Sequence, residues 1–205
     1  MMNIHLFQKE KSRGTLKVPW LTVMLTLGMI GLYLSGQILF NSLLFDKTLI
    51  AQGEFWRLFT AHFVHCNFQH LLWDLLAFLV IGSVIELNNP RHFLPCLFVS
   101  CLAVSGWMFF IETKFSSYCG LSGALNGMLV LAAVTQYKRT GEKMCLGILL
   151  ATVAKIFFEL STHETIFTDL SVRAVPGSHA AGYMAGIFYL GFIWLEKIFD
   201  LKKEV

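Results

Sequence analysis

Charge is what this chain has least of. Asp, Glu, Lys and Arg make up 14% of its 205 residues, against roughly 25% in a soluble domain. Four stretches, 18–45, 92–111, 115–137 and 174–195, contain none at all. With 56% apolar residues, nineteen Phe and a mean hydropathy of +0.63, the chain has too few polar side chains to cover a water-facing surface. The same figures exclude a disordered or collagen-like chain. Net charge of +3 is too small, and too scattered, for a nucleic-acid surface. No C-x-x-C pair occurs, and five cysteines cannot all be bridged, so a disulfide-stapled domain is excluded as well. What remains is a membrane protein with several spans.

Each charge-free stretch holds the ~20 apolar residues that cross ~30 Å of hydrocarbon as a helix. Two weaker segments fill the gaps, one interrupted by His70, Asp74 and Glu86 and the other by Lys155 and Glu159. The sequence therefore predicts an all-α bundle of six transmembrane helices near 19–40, 69–87, 92–111, 121–137, 144–160 and 178–196. The first is read as a retained span, because it is too long for a signal peptide and lacks a small-residue cleavage site. Counted loop by loop, eleven Lys and Arg fall on the side of both termini and four on the other side (Lys47, Arg57, Lys114 and Arg173). The positive-inside bias then places both termini in the cytoplasm and the connections 41–68, 112–120 and 161–177 outside. Residues 1–17 form a cytoplasmic segment, 18–198 the helical core and 199–205 a cytoplasmic tail.

Polar groups at membrane depth are costly, so each one is a functional candidate. Gly120-Leu121-Ser122-Gly123 opens the fourth span. Sixteen residues from Ser122 to Lys138 rise ~24 Å, less than the core thickness, which puts Ser122 below the outer surface at a helix N-terminus. An N-cap serine is the plain alternative. His179 opens the sixth span ahead of Gly182 and Gly186, and Gly123 and Gly127 repeat the small-residue stripe in the fourth. Two such faces let helix backbones approach closely, which would bring His179 to Ser122. His70 and Asp74 share one face of the second span. His62, His65, His70 and Asp74 are all possible zinc ligands, but H-E-x-x-H is absent and a metal would leave Ser122 and His179 unexplained. No metal or cofactor is expected. Lys155 and Glu159, four apart, read as an ion pair with both heads toward the outer interface. Cys66 and Cys119 both fall at outward helix ends, where a bridge is conceivable.

Together these segments resemble the rhomboid intramembrane serine proteases over about residues 18–198. The resemblance rests on Trp56-Arg57 in a long first outward loop, on His65 and His70 entering the second span, on Gly120-Leu121-Ser122-Gly123, and on His179-x-x-Gly182-x-x-x-Gly186. It implies a rhomboid-type six-helix hydrolase in which Ser122 is the nucleophile and His179 the base, a dyad without an aspartate. His70 and the Ser122 N–H would form the oxyanion hole, with Asp74 beside them. Gly120, Gly123, Asn126, Gly182, Gly186, Trp56 and Arg57 would support the site. The fifth span and its following loop would gate substrate entry. Two positions depart from the family pattern: Asp74 replaces an asparagine, and Asn126 replaces an aromatic residue that stacks on the base. The bare core and this altered turn resemble the bacterial rhombosortase subgroup, which processes C-terminal Gly-Gly sorting tails of envelope proteins. The implied partners are a membrane-anchored protein substrate and the bilayer, with the active site opening to the periplasmic side of a bacterial inner membrane. The competing expectation is a non-catalytic relative that binds membrane segments without cutting them.

Overall fold

The computed structural model describes residues 17–162 and 175–203, so the expectations for the N-terminal segment up to residue 16, for the connection 163–174 with Arg173 and its gating role, and for residues 204–205 of the tail lie outside the described residues. Among the described residues the regular structure is helical apart from one two-residue ladder. The main helices are α1 (Trp20–Leu34), α5 (Phe68–Asn88), α6 (Phe93–Phe110), α7 (Ser122–Thr140), α8 (Met144–Thr162) and α9 (Pro176–Lys203). Among the described residues three helical segments, Phe68–Asn88, Pro90–Phe110 and Met144–Thr162, are long and apolar enough to cross a membrane. The number rises to four if the bent pair at the N-terminus counts as one span.

That bent pair corrects the expected first span. Helix α1 stops at Leu34, and after Ser35 and Gly36 a second helix, α2 (Gln37–Leu43), leaves at 118°. Gly36 carries φ +85°, a left-handed conformation that a residue with a Cβ adopts only at a cost. An apolar, charge-free run thus hid a turn that one glycine permits. The N-terminal end of α1 is tied to the far end of α5: the Leu21 and Thr22 amides and the Thr22 hydroxyl donate to the Glu86 carboxylate at 2.9, 2.8 and 2.7 Å. A carboxylate there satisfies free helix N–H groups and meets the positive end of the dipole.

The loop before α5 is itself built. It holds β1 (Phe45–Asp46), α3 (Lys47–Ala51), α4 (Arg57–Thr60) and a 3-10 turn (Ala61–Phe63). β1 pairs antiparallel with β2 (Ser117–Tyr118), Phe45 against Tyr118 and Asp46 against Ser117. The ladder fastens this loop to the segment that leads into α7. Beneath it Phe45, Ile50, Ala61, Val104, Met108 and Tyr118 form a small core of their own. Arg57 is buried and braces the loop, donating to the carbonyls of Asn41 and Leu44 and to Glu54, while Trp56 stays half exposed with its Nε1 donating to Ser42 O.

Helix α7 occupies the centre, in contact with α5, α6, α8 and α9. Its tightest neighbour is α9. A methyl group placed on Gly182 would overlap the Gly123 carbonyl, and one on Gly186 would overlap the Gly127 carbonyl and the Val130 side chain. In return, a methyl on Gly127 would strike the Gly182 carbonyl and Ser100. Small residues here replace the hydrophobic drive that lipid removes, because they let two backbones touch. Gly191, further along α9, has nothing within 4 Å of such a methyl. Gly182→Ala is therefore expected to lower the unfolding midpoint in detergent by several degrees, whereas Gly191→Ala leaves it unchanged or slightly higher. Equal midpoints for the two variants would refute the close helix contact.

Candidate active site

Ser122 is the first residue of α7, and its position depends on the turn before it. Gly120 has φ +103°, and a Cβ there would run into the His70 ring. Only glycine suits both the backbone and the neighbour. The Gly120 amide donates to Ala61 O at 3.0 Å, anchoring the turn to the loop before α5. The α7–α9 contact then sets His179 opposite. Ser122 Oγ lies 2.9 Å from His179 Nε2, and His179 is largely buried.

The other imidazole nitrogen is also occupied. His179 Nδ1 lies 2.6 Å from Glu159 Oε2, and the Glu159 side chain is fully buried. Lys155 Nζ stands 2.7 Å from Glu159 Oε1 in an ion pair off the line of an aligned hydrogen bond. The expected Lys155–Glu159 pair is present, but its carboxylate does not reach for the outer interface. It turns inward to the histidine. Sequence reasoning missed this role; the available signal was a Lys–Glu pair four apart in an otherwise apolar span.

Asp74 is the other buried hub. Its Oδ2 accepts from the amides of Leu121 at 2.7 Å and Ser122 at 3.1 Å, and lies 2.9 Å from His65 Nε2 and 3.6 Å from His70 Nε2. The family resemblance implies only that Asp74 lies beside the oxyanion-hole groups. Here Oδ2 is an acceptor that holds the Ser122 N–H, one of the groups assigned to an oxyanion hole. His65, weighed above only as a metal ligand and a family marker, is a direct partner of this carboxylate. Asn126 donates to its own helix at Ser122 O, 2.8 Å away. His62 sits apart: its Nε2 is 3.0 Å from Ser105 Oγ, and burial pushes its imidazole down to about 4. His62, His65, His70 and Asp74 thus do not converge as a set. A different group does: one ligating atom each of Cys66, His70 and Cys119 lie within 4.8 Å of one another.

These groups line a cavity of about 730 Å³. Ser122, His179, His70 and Asp74 form its polar wall, with Lys155 and Glu159 from α8 beside them. Apolar residues of α5 and α7, such as Trp73, Ile81, Leu125 and Leu129, line it further, with Phe40, Phe115 and Val175 from other segments. A serine and an imidazole in hydrogen-bond contact, below an apolar cavity inside a helical membrane bundle, define an arrangement suited to nucleophilic chemistry on a membrane-embedded ligand.

Comparison with known proteins gives the family. The rhomboid domain model matches residues 52–196, and the chain belongs to the rhomboid family of multi-pass membrane proteins. It is 28% identical over 165 residues to RHOMBOID-like protein 5 of Arabidopsis thaliana, covering 73% of this chain and 47% of that protein. It is 25% identical over 153 residues to the rhomboid protease GluP of Bacillus subtilis, covering 74% and 29%. With the rhomboid protease GlpG of Salmonella paratyphi A it shares 28% over 145 residues, covering 70% and 49%. The matched stretch spans about half or less of each of these relatives.

The Asp74 hub yields a stability test. Asp74→Asn keeps an acceptor for the two amides and is expected to fold with a midpoint near that of the parent. Asp74→Leu strands the buried Leu121 N–H and the partly buried Ser122 N–H at a cost of about 2 kcal/mol, roughly 5 °C in a chain of this size, read by thermal unfolding in detergent. A Leu variant as stable as the Asn variant would show that these bonds contribute nothing.

Proposed function

We propose that this protein is an intramembrane serine protease that cuts a peptide bond in or beside a transmembrane segment of a membrane-anchored substrate. The observation that carries the reading is the 2.9 Å contact between Ser122 Oγ and His179 Nε2 at the polar end of an apolar cavity. Two of the relatives are named as proteases. In this reading Ser122 Oγ gives its proton to His179 Nε2 and attacks the substrate carbonyl carbon. His179 then returns the proton to the leaving amine, and water releases the acyl group from Ser122 by the reverse relay. His70 and the Ser122 N–H receive the oxyanion, so Asp74 must release that N–H as charge develops on the substrate.

The reading includes six membrane crossings with both termini in the cytoplasm, residues 18–198 as the protease core, and a bacterial inner membrane with the site opening to the periplasm. The positive-inside count supports this orientation. The substrates are envelope proteins whose C-terminal tail carries a Gly-Gly motif, one span and a basic cluster. The subgroup resemblance at Asp74 and Asn126 supports that class. A second reading, a rhomboid-like protein that holds membrane segments without cutting them, is favoured by the Ser122 amide being engaged by Asp74.

The test is cleavage of such a tail by the purified chain in lipid, beside a single-span protein lacking Gly-Gly. Ser122→Ala and His179→Ala should each abolish cleavage, with the double variant no worse than either single one. Cleavage of both proteins alike would remove the Gly-Gly assignment. Cleavage by Ser122→Ala at the parent rate would remove the protease reading, and an inert parent would leave the binding one.

A further inference from the structure

We propose that Glu159 completes the relay as the residue that positions the base, so that this chain works with Ser122, His179 and Glu159 where the family resemblance implies two residues. The proposal rests on the protease reading above. The carboxylate is fully buried and divides its oxygens, Oε2 at 2.6 Å from His179 Nδ1 and Oε1 at 2.7 Å from Lys155 Nζ. A carboxylate kept only as Lys155's counter-ion has no need to meet the histidine. A base that must accept from Ser122 Oγ at Nε2 needs its proton on Nδ1, and an acceptor at Nδ1 holds that tautomer and ring orientation. When Nε2 takes the serine proton, the same carboxylate faces an imidazolium, and an ionised partner roughly doubles the strength of such a hydrogen bond. Lys155 keeps the carboxylate from being an unpaired charge at membrane depth while the imidazole is neutral.

The rate at which a fluorophosphonate labels Ser122 reads this role without knowledge of the substrate, in full-length protein in lipid. Glu159→Gln should slow labelling at least ~100-fold at an unchanged unfolding midpoint, and Glu159→Asp should recover part of the loss. Should Glu159→Gln fail to fold because Lys155 is left unpaired, Lys155→Met/Glu159→Gln removes both charges together and should show the same slowing. In a His179→Ala background Glu159→Gln should cost nothing further. Parental labelling by the folded double variant, or an equal further loss without His179, overturns the proposal. Ser122→Ala labelled like the parent would instead overturn the underlying protease reading.

A second cluster carries an inference of its own. Cys66 is exposed and Cys119 partly so, both are free thiols, and Cys66 Sγ lies 3.4 Å from His70 Nδ1. The sulfurs lie within 4.8 Å of each other, so side-chain rotation can bring them to the ~2.05 Å of a disulfide. The geometry points to a Cys66–Cys119 disulfide that staples the entry of α5, which bears His70, to the turn that leads into Ser122. Its formation by thiol–disulfide exchange joins the two sulfurs, releases their two protons, and passes two electrons to an incoming disulfide, which leaves as two thiols. Glutathione disulfide serves as the oxidant in the test. The treated full-length protein should become lighter by two hydrogen atoms, yield a crosslinked peptide containing residues 66 and 119, and protect only these two cysteines from alkylation. Persistent alkylation of both thiols, or two separate glutathione adducts, overturns the bridge. Retention of one Zn²⁺ per chain through dialysis, lost in Cys119→Ser, would replace it with a metal site on the same three residues.

Discussion

The contact between α7 and α9 is the constraint on which the site depends. In lipid, two helices gain nothing by hiding leucines from water, so their separation is set by how closely the backbones can pack. Gly127 on one helix and Gly182 and Gly186 on the other leave no room for a Cβ, and Gly123, whose carbonyl Gly182 meets, leaves little. At that separation the first turn of α7 and the first turn of α9 stand face to face, and Ser122 Oγ falls 2.9 Å from His179 Nε2. A side chain of ordinary size in the seam would move these atoms by more than ~1 Å, a displacement that would cost the proposed reaction ~100-fold in rate.

Around that seam the buried polar groups are organised into two hubs. Glu159 meets His179 and Lys155 on one side of Ser122, and Asp74 meets two amides and His65 on the other. Each hub divides a costly buried carboxylate among several partners, which is what makes such a group tolerable away from water. The hubs differ in consequence. The Glu159 carboxylate faces the imidazole nitrogen turned away from the serine, where, in the proposed reaction, negative charge would favour proton transfer. The Asp74 carboxylate holds an amide that the proposed tetrahedral intermediate would need, so that reaction would exchange one anionic acceptor for another. The chain belongs to the rhomboid family, and Asp74 stands where the family resemblance implies an asparagine, a side chain of similar shape without the charge.

Much of the helical order was legible in the sequence, because a charge-free run of ~20 residues has few alternatives to a helix in lipid. The break after Leu34 was not. Gly36 looks like any other glycine in an apolar segment until its φ of +85° is known. The loop before α5 hid a ladder and a small core, since Phe45 and Tyr118 are far apart in the chain and two-residue strands leave no periodic signal.

Ser122, His179, His70 and Asp74 could be singled out by sequence alone, because each is a polar residue at a span entry where polar groups are expensive, and the glycines around the first two announce a close helix pair. Which groups touch was decided by tertiary structure. Glu159 reaches His179 only because α8 lies against the seam with that face rotated inward. Asp74 accepts from Leu121 and Ser122 only because the turn at Gly120 folds over the His70 ring. Spacing along a helix specifies which residues share a face. The rotation of one helix against the next depends on the shapes of every side chain between them, and no local pattern records it.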